Sequence, residues 1–326
     1  MTRLLAALAA LLLAGPAAAA EASRVPRTAY GQPDLQGVWN TSFVHPLEAP
    51  ATGAPPLVLP EAEARAYARK LGADIRGLKA FEQDPEVAEL SRTNEAAGLG
   101  VVRGQRRTRQ VVQPADGRLP AAPFARRQIQ FVEQALRTRD DAPFGTDGPE
   151  QRPNWERCLV GQGQPPVTNV SSINPRQILQ TRDAVVILAE YGPDLRIIPF
   201  ATTHANAVSQ ASPLGDAIAR WEGETLVIET TNMPAKDALR PLPTLMVPPS
   251  AKVIERYTRL SPTELLYQYT VVDPSTYTAP WLAEYSLTRM TQPLYEFACH
   301  EGNYSLPNIL AGARQQERAR AAGVAR

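Results

Sequence analysis

Val253-Ile254-Glu255-Arg256-Tyr257-Thr258-Arg259-Leu260-Ser261-Pro262-Thr263-Glu264-Leu265-Leu266-Tyr267-Gln268-Tyr269-Thr270-Val271-Val272 is two β-rich runs around a Ser-Pro-Thr turn. In the second run Leu265, Tyr267, Tyr269 and Val271 share a face, the period of two that a strand with one buried side requires. Downstream, Trp281, Ala283, Tyr285 and Leu287 alternate with Glu284, Ser286 and Thr288. Upstream, Ile218 to Trp221 and Thr225 to Thr231 form a hairpin around Glu222-Gly223-Glu224. Before it, Ile178-Leu179-Gln180, Ala184 to Glu190 and Leu195 to Phe200 are strands parted by Arg182-Asp183 and Gly192-Pro193-Asp194. Leu294 to Cys299 reads as the final strand, with Tyr295, Phe297 and Cys299 on one side.

This succession predicts a mainly β protein. Short turns favour an antiparallel up-and-down barrel, whose closure removes exposed edges. A two-sheet sandwich is the alternative, because hairpin spacing does not separate them.

The N-terminal part has another character. Arg3, the apolar run Leu4 to Leu13, Gly15-Pro16 and Ala18-Ala19-Ala20 before Glu21 have the pattern of a cleaved signal peptide over residues 1–20. The run is too short for a membrane span, so a soluble exported protein, periplasmic or secreted, is expected. Residues 21–150 read as an irregular arm with one strand, Pro33-Asp34-Leu35-Gln36-Gly37-Val38-Trp39, and two short helices. Glu61 to Leu71 is the first helix, with Pro60 at its entry. Ala125, Ile129, Val132 and Leu136 make the apolar stripe of the second. The stretch Asp140 to Pro153, rich in Asp, Gly and Pro, marks a boundary before the strand-rich domain 151–312, and 313–326 reads as a polar tail.

Lys and Arg number 34 against 33 Asp and Glu, so no electrostatic footprint for nucleic acid exists. Arg103, Arg106, Arg107 and Arg109 cluster locally and read as a solvated loop rather than a phosphate site. The two cysteines, Cys158 and Cys299, form a disulfide if the protein is exported. A nucleophilic cysteine is the rival reading.

Two resemblances bear on the fold. Gly37-Val38-Trp39 on an opening strand resembles the Gly-x-Trp start of lipocalin-like (calycin) barrels, although the insertion between Trp39 and Gln177 departs from a compact lipocalin. The opening strand, Arg220-Trp221-Glu222-Gly223-Glu224-Thr225-Leu226-Val227 with Glu229-Thr230-Thr231-Asn232, and Tyr295-Glu296-Phe297-Ala298-Cys299-His300-Glu301-Gly302-Asn303-Tyr304 resemble a family of exported bacterial proteins of uncharacterised function. That likeness runs over most of the mature chain and implies no activity. The loop Thr202 to Gly215 differs in composition from the pattern.

Chemistry has few candidates. Of the three histidines, His45 lies in a proline-flanked segment and is ordinary, while His300 precedes Glu301, Asn303 and Tyr304. A base, a carboxylate, an amide and a phenol at the end of a strand could make a polar cluster at a barrel mouth, or a structural corner pinned by Cys299. His204 could approach the same mouth. Metal binding lacks any close ligand spacing, and neither a metal nor a cofactor is expected. Glu229 is buried and in need of Arg220, Arg256 or a ligand as partner if its face looks inward, and solvated if it looks out.

The expected function is binding of a small apolar or amphiphilic molecule by the barrel interior, on the strength of the aromatic set Tyr267, Tyr269, Trp281, Tyr285 and Phe297, with Trp221, Arg220, Asn303 and Tyr304 as further candidate ligand-binding residues. The alternative is a cofactor-independent isomerase, lyase or hydrolase using His300, Glu301, His204 and Glu229 as acid–base groups. A scaffold working through the N-terminal arm is a third reading. The sequence leaves the oligomeric state open.

Overall fold

The period-two runs become one antiparallel sheet because each has a single apolar face to bury. The computed structural model describes residues 25–40, 46–76, 98–138, 144–168, 175–192, 194–205, 212–241 and 244–323. The expected signal peptide, His45 and the middle of the 202–215 loop lie outside these, as does the side chain of Leu136.

In chain order the strands are β1 Gly37–Asn40, β2 Val58–Leu59, β3 Val101–Val102, β4 Gln105–Arg107, β5 Val111–Gln113, β6 Arg176–Gln180, β7 Ala184–Ala189 and β8 Leu195–Pro199. They continue with β9 Asp216–Glu222, β10 Thr225–Thr231, β11 Leu239–Pro241, β12 Thr244–Met246, β13 Lys252–Arg259, β14 Glu264–Val272 and β15 Trp281–Met290. The helices are α1 Glu61–Arg76, α2 Pro123–Thr138, α3 Cys299–Gly302 and α4 Ser305–Ala321.

The main sheet runs β8-β7-β6-β1-β15-β14-β13-β10-β9, with β5 added on β15. β1 and β5 belong to this sheet, so the boundary expected near residue 150 does not divide it. Its two end strands meet at a single parallel bridge, Phe200 to Ala219. Elsewhere β8 and β9 line an open groove with Leu195, Ile197 and Pro199 on one side and Asp216 and Ile218 on the other. No ladder closes the sheet between the described strands.

Register gives the inner face its rows. Leu226, Tyr257, Tyr267 and Tyr285 stand side by side across four strands. The next row is Ala219, Ile228, Glu255, Tyr269 and Ala283. Tyr267 is in ring contact with Tyr257 at 4.7 Å and Tyr285 at 5.1 Å, and Tyr269 meets Trp281 at 5.7 Å. Such aromatic pairs each add about 0.5–1.5 kcal/mol beyond the burial of their area.

Gly37 explains why the opening strand tolerates no side chain there. Its φ is +128°, and a Cβ would stand 2.7 Å from the Arg289 guanidinium carbon. Arg289 occupies that space because it lies 5.5 Å over the ring of Trp39, while Arg259 lies 5.7 Å from the same ring. Trp39 is fully buried and its indole donates to the Leu35 carbonyl at 2.9 Å.

Three expectations are corrected. Leu294 to Cys299 is not a strand: both edges of β15 are occupied, by β14 on one side and by β1 and β5 on the other, so its alternation has no partner. Residues 313–321 of the expected polar tail belong to the helix α4, none of whose residues is buried. Of the arginine cluster only Arg103 is exposed in a turn; the other three are not a solvated loop. Arg106 pairs with Glu61 at 2.9 Å, Arg107 with Glu284 at 3.4 Å, and the buried Arg109 donates to the carbonyls of Pro55 and Ala115. α1 packs through Ala64 and Ala68 on Leu59 and Leu99, and α2 buries Ala125, Ile129, Val132 and Ala135.

Candidate functional site

Charged residues interrupt the apolar inner face at four strand positions, one of them Arg259, which lies against Trp39 at the end of β13. Arg176 alternates with Ile178 on β6, Arg196 with Ile198 on β8, and Glu255 with Val253 and Tyr257 on β13. Arg196 and Glu255 form a buried two-pronged pair, Nη1 to Oε1 at 3.1 Å and Nη2 to Oε2 at 2.5 Å. The Tyr267 hydroxyl donates to Oε1 at 2.8 Å, and Arg196 also donates to Thr230 at 3.3 Å. Burial works against charge on Arg196, but Glu255 beside it holds the proton in place and the net direction is upward. Burial pushes the phenols of Tyr257, Tyr267 and Tyr269 up, so they stay protonated.

The segment 160–168 crosses this interior. The Val167 amide donates to the Tyr267 hydroxyl at 3.0 Å, and the Tyr285 hydroxyl donates to the Val167 carbonyl at 2.5 Å. From the other side Arg240 donates to the carbonyls of Gln164, Pro165 and Pro166 at 2.8–3.3 Å. Burial pushes Arg240 down to about 10, and it remains a cation at neutral pH.

Outside this strap lies a pocket with about 800 Å³ of empty space, its open mouth included. Trp155 and Tyr191 form its exposed aromatic walls, while Pro166, Leu239, Asp237 and Arg240 line its deeper part. Asp237 is buried and accepts from Asn154 at 2.7 Å and Gln164 at 3.0 Å. Asp194 accepts from the amides of Gly161 and Gly163, yet burial lifts its carboxyl to about 6.

The Tyr295–Tyr304 string braces this pocket from behind. Phe297 stacks on Tyr191 at 4.3 Å. The disulfide Cys158–Cys299 ties α3 to the segment that carries Trp155, and Asn303 donates to the Glu156 carbonyl at 2.7 Å. Asn303 also accepts from the Leu306 amide at 3.2 Å, giving a partner to one amide in the first turn of α4. His300, Glu301 and Tyr304 are exposed on this brace.

His204 lies elsewhere, on the outer face of β9 and β10, between Asp216 at 3.3 Å and Glu229 at 3.6 Å, with Lys252 3.7 Å from Glu229. Of the four expected acid–base residues, therefore, His204 and Glu229 come together, whereas His300 and Glu301 sit on the pocket brace. Glu229 faces outward and is served by His204 and Lys252 rather than by Arg220 or Arg256. Those two arginines instead flank Glu222, each at 2.7 Å. Tyr267, Tyr269, Trp281 and Tyr285 are fully buried on the inner face; Trp221 is half-buried against it and Arg220 is exposed.

Sequence reasoning missed Arg176, Arg196 and Glu255. Their signal was present, since each charge alternates with apolar residues on the face that the strand buries. Trp155 and Tyr191 on distant loops and Arg240 on the short strand β11 converge, and no local pattern marks them. No group of His, Cys, Asp or Glu among the described residues could hold a metal ion, and no described helix is long and apolar enough to cross a membrane. No protein-family model matches the chain, and no curated protein does.

Proposed function

We propose that the protein binds a small amphiphilic molecule, with its apolar part between Trp155 and Tyr191. One observation carries this reading: two exposed aromatic walls stand over a polar floor, Asp237 and Arg240, whose groups are fixed by hydrogen bonds and positioned to orient a ligand. The brace of Phe297, the disulfide and Asn303 supports it, because it holds the walls in place without a ligand. The single Phe200–Ala219 bridge between the end strands supports a calycin-like barrel left open along the β8–β9 groove, and the disulfide is compatible with an exported protein.

The test is to incubate the purified protein with a metabolite extract and follow free and bound molecules by untargeted mass spectrometry. A compound retained unchanged by the protein and lost on Trp155→Ala supports the reading. Retention equal in both proteins removes the pocket.

A second reading is acid–base catalysis at His204, whose imidazole lies between two carboxylates. It expects a compound to be consumed with a matching product. Turnover unchanged in His204→Ala would reject it.

A further inference from the structure

Arg176 is 1 % exposed, and none of its three guanidinium nitrogens meets an acceptor at hydrogen-bonding geometry among the described residues. Its guanidinium carbon lies 5.9 Å over the ring of Tyr267, and the phenols of Tyr257 and Tyr285 complete its surroundings. The Tyr285 oxygen approaches it without reaching that geometry, and this neutral phenol, whose hydroxyl donates to the Val167 carbonyl, brings no counter-charge. Glu255 serves other groups: both of its oxygens are taken by Arg196, and one also by Tyr267. The Tyr257 hydroxyl, fully buried beside Arg176, likewise has no partner among the described residues. Arg176, Arg196 and Glu255 together leave one positive charge unmatched in this cluster.

A buried cation without a counter-charge is costly to keep, and a carboxylate presents two acceptors that match the fork of a guanidinium. The Val167 strap stands between the pocket and the phenols around this charge. Pro166 and Thr168 line the pocket, and Val167 between them is bonded to Tyr267 and Tyr285, two of the phenols around Arg176.

We propose that Arg176, with the Tyr257 hydroxyl, receives the carboxylate of an amphiphilic acid whose apolar body lies between Trp155 and Tyr191. This rests on the binding function proposed above and adds the chemical class of the ligand. Access requires the Val167 strap to release its two tyrosine hydrogen bonds. The freed Tyr285 hydroxyl then donates to the incoming carboxylate.

The experiment compares decanoate with 1-decanol, the same chain with and without the charge, by titration calorimetry on wild type, Arg176→Met and Tyr257→Phe. In the wild type the acid is expected to bind about tenfold or more tighter than the alcohol. In Arg176→Met this ratio falls to about one, and the ligand-free variant melts no lower than wild type, because the side chain removed was an uncompensated cation. Tyr257→Phe lowers the ratio without removing a charge.

Equal affinity for acid and alcohol in the wild type overturns the inference while leaving the pocket standing. So does a preference for acid that survives Arg176→Met, or a ligand-free Arg176→Met that melts lower or fails to fold, since Arg176 is then structural. Binding of neither compound overturns the pocket together with the inference.

Discussion

Replacing Glu255 by leucine should be among the most damaging single changes in this protein. Glu255 is fully buried, and Arg196 is 3 % exposed. The substitution leaves the Arg196 guanidinium buried without its counter-charge, which costs about 3–5 kcal/mol. It also strands the Tyr267 hydroxyl, which donates to Glu255 at 2.8 Å, for about another 1–3 kcal/mol. The sum, about 4–8 kcal/mol, is comparable with the whole stability of many domains, about 5–15 kcal/mol. Arg196→Met alone is milder, since the remaining carboxylate keeps Tyr267. The double variant removes both charges and should recover at least about 3 kcal/mol relative to the sum of the singles. Equilibrium urea unfolding of the four proteins measures this, with equal slopes showing that the denatured state is unchanged. Additive losses, or an Glu255→Leu penalty below about 1 kcal/mol, would refute the geometry of a dry, mutually dependent pair.

Three further outcomes are expected. Asp194 binds its proton more tightly in the folded state, at about 6 against an ordinary 3.8, so its ionised form opposes folding above that range and the opposition fades as pH falls towards 4. The stability of wild type minus that of Asp194→Asn should therefore rise by about 2 kcal/mol from pH 7 to pH 4, and a constant difference in urea midpoints would contradict it. Gly37→Ala should cost about 1–3 kcal/mol from φ alone, and more from displacing Arg289; in an Arg289→Ala background only the backbone part should remain in thermal melts. Replacing both Cys158 and Cys299 by serine opens a loop of 141 residues and should cost about 5 kcal/mol by chain entropy, read as a lower urea midpoint that matches the reduced wild type.

What could be read in advance follows the distance over which each contact acts. The hairpins β9–β10 and β13–β14 were legible because their turns leave each strand one adjacent partner. β1 was legible as a strand but not as a central one, for its partners Ile178 and Met290 lie far along the chain. Alternation states that one face is apolar and is silent about whether an edge is free to receive it. That silence is why Tyr295, Phe297 and Cys299 suggested a strand, when Phe297 instead covers Tyr191 and Cys299 closes a disulfide. The cysteine pair was inferable from count and compartment alone. The pocket was not, because its walls are loops whose composition is ordinary until they meet. His204 and Glu229 were each singled out, while Asp216, which completes their cluster, carried no signal beyond its place at the start of β9.

The bond between Cys158 and Cys299 also fixes how the molecule responds to tension. A pull applied at the end of α4 passes through Cys299 and across the sulfurs to Cys158, so the strands from β6 to β15 lie off the load-bearing path. They can be loosened without lengthening the chain, since the span between the two cysteines, a sequence separation of 141, is held as slack in a covalent ring. At about 3.4 Å per residue that slack is about 480 Å. Reduction releases it all to the applied force, which makes the thiol state a switch between a short tether and a long one.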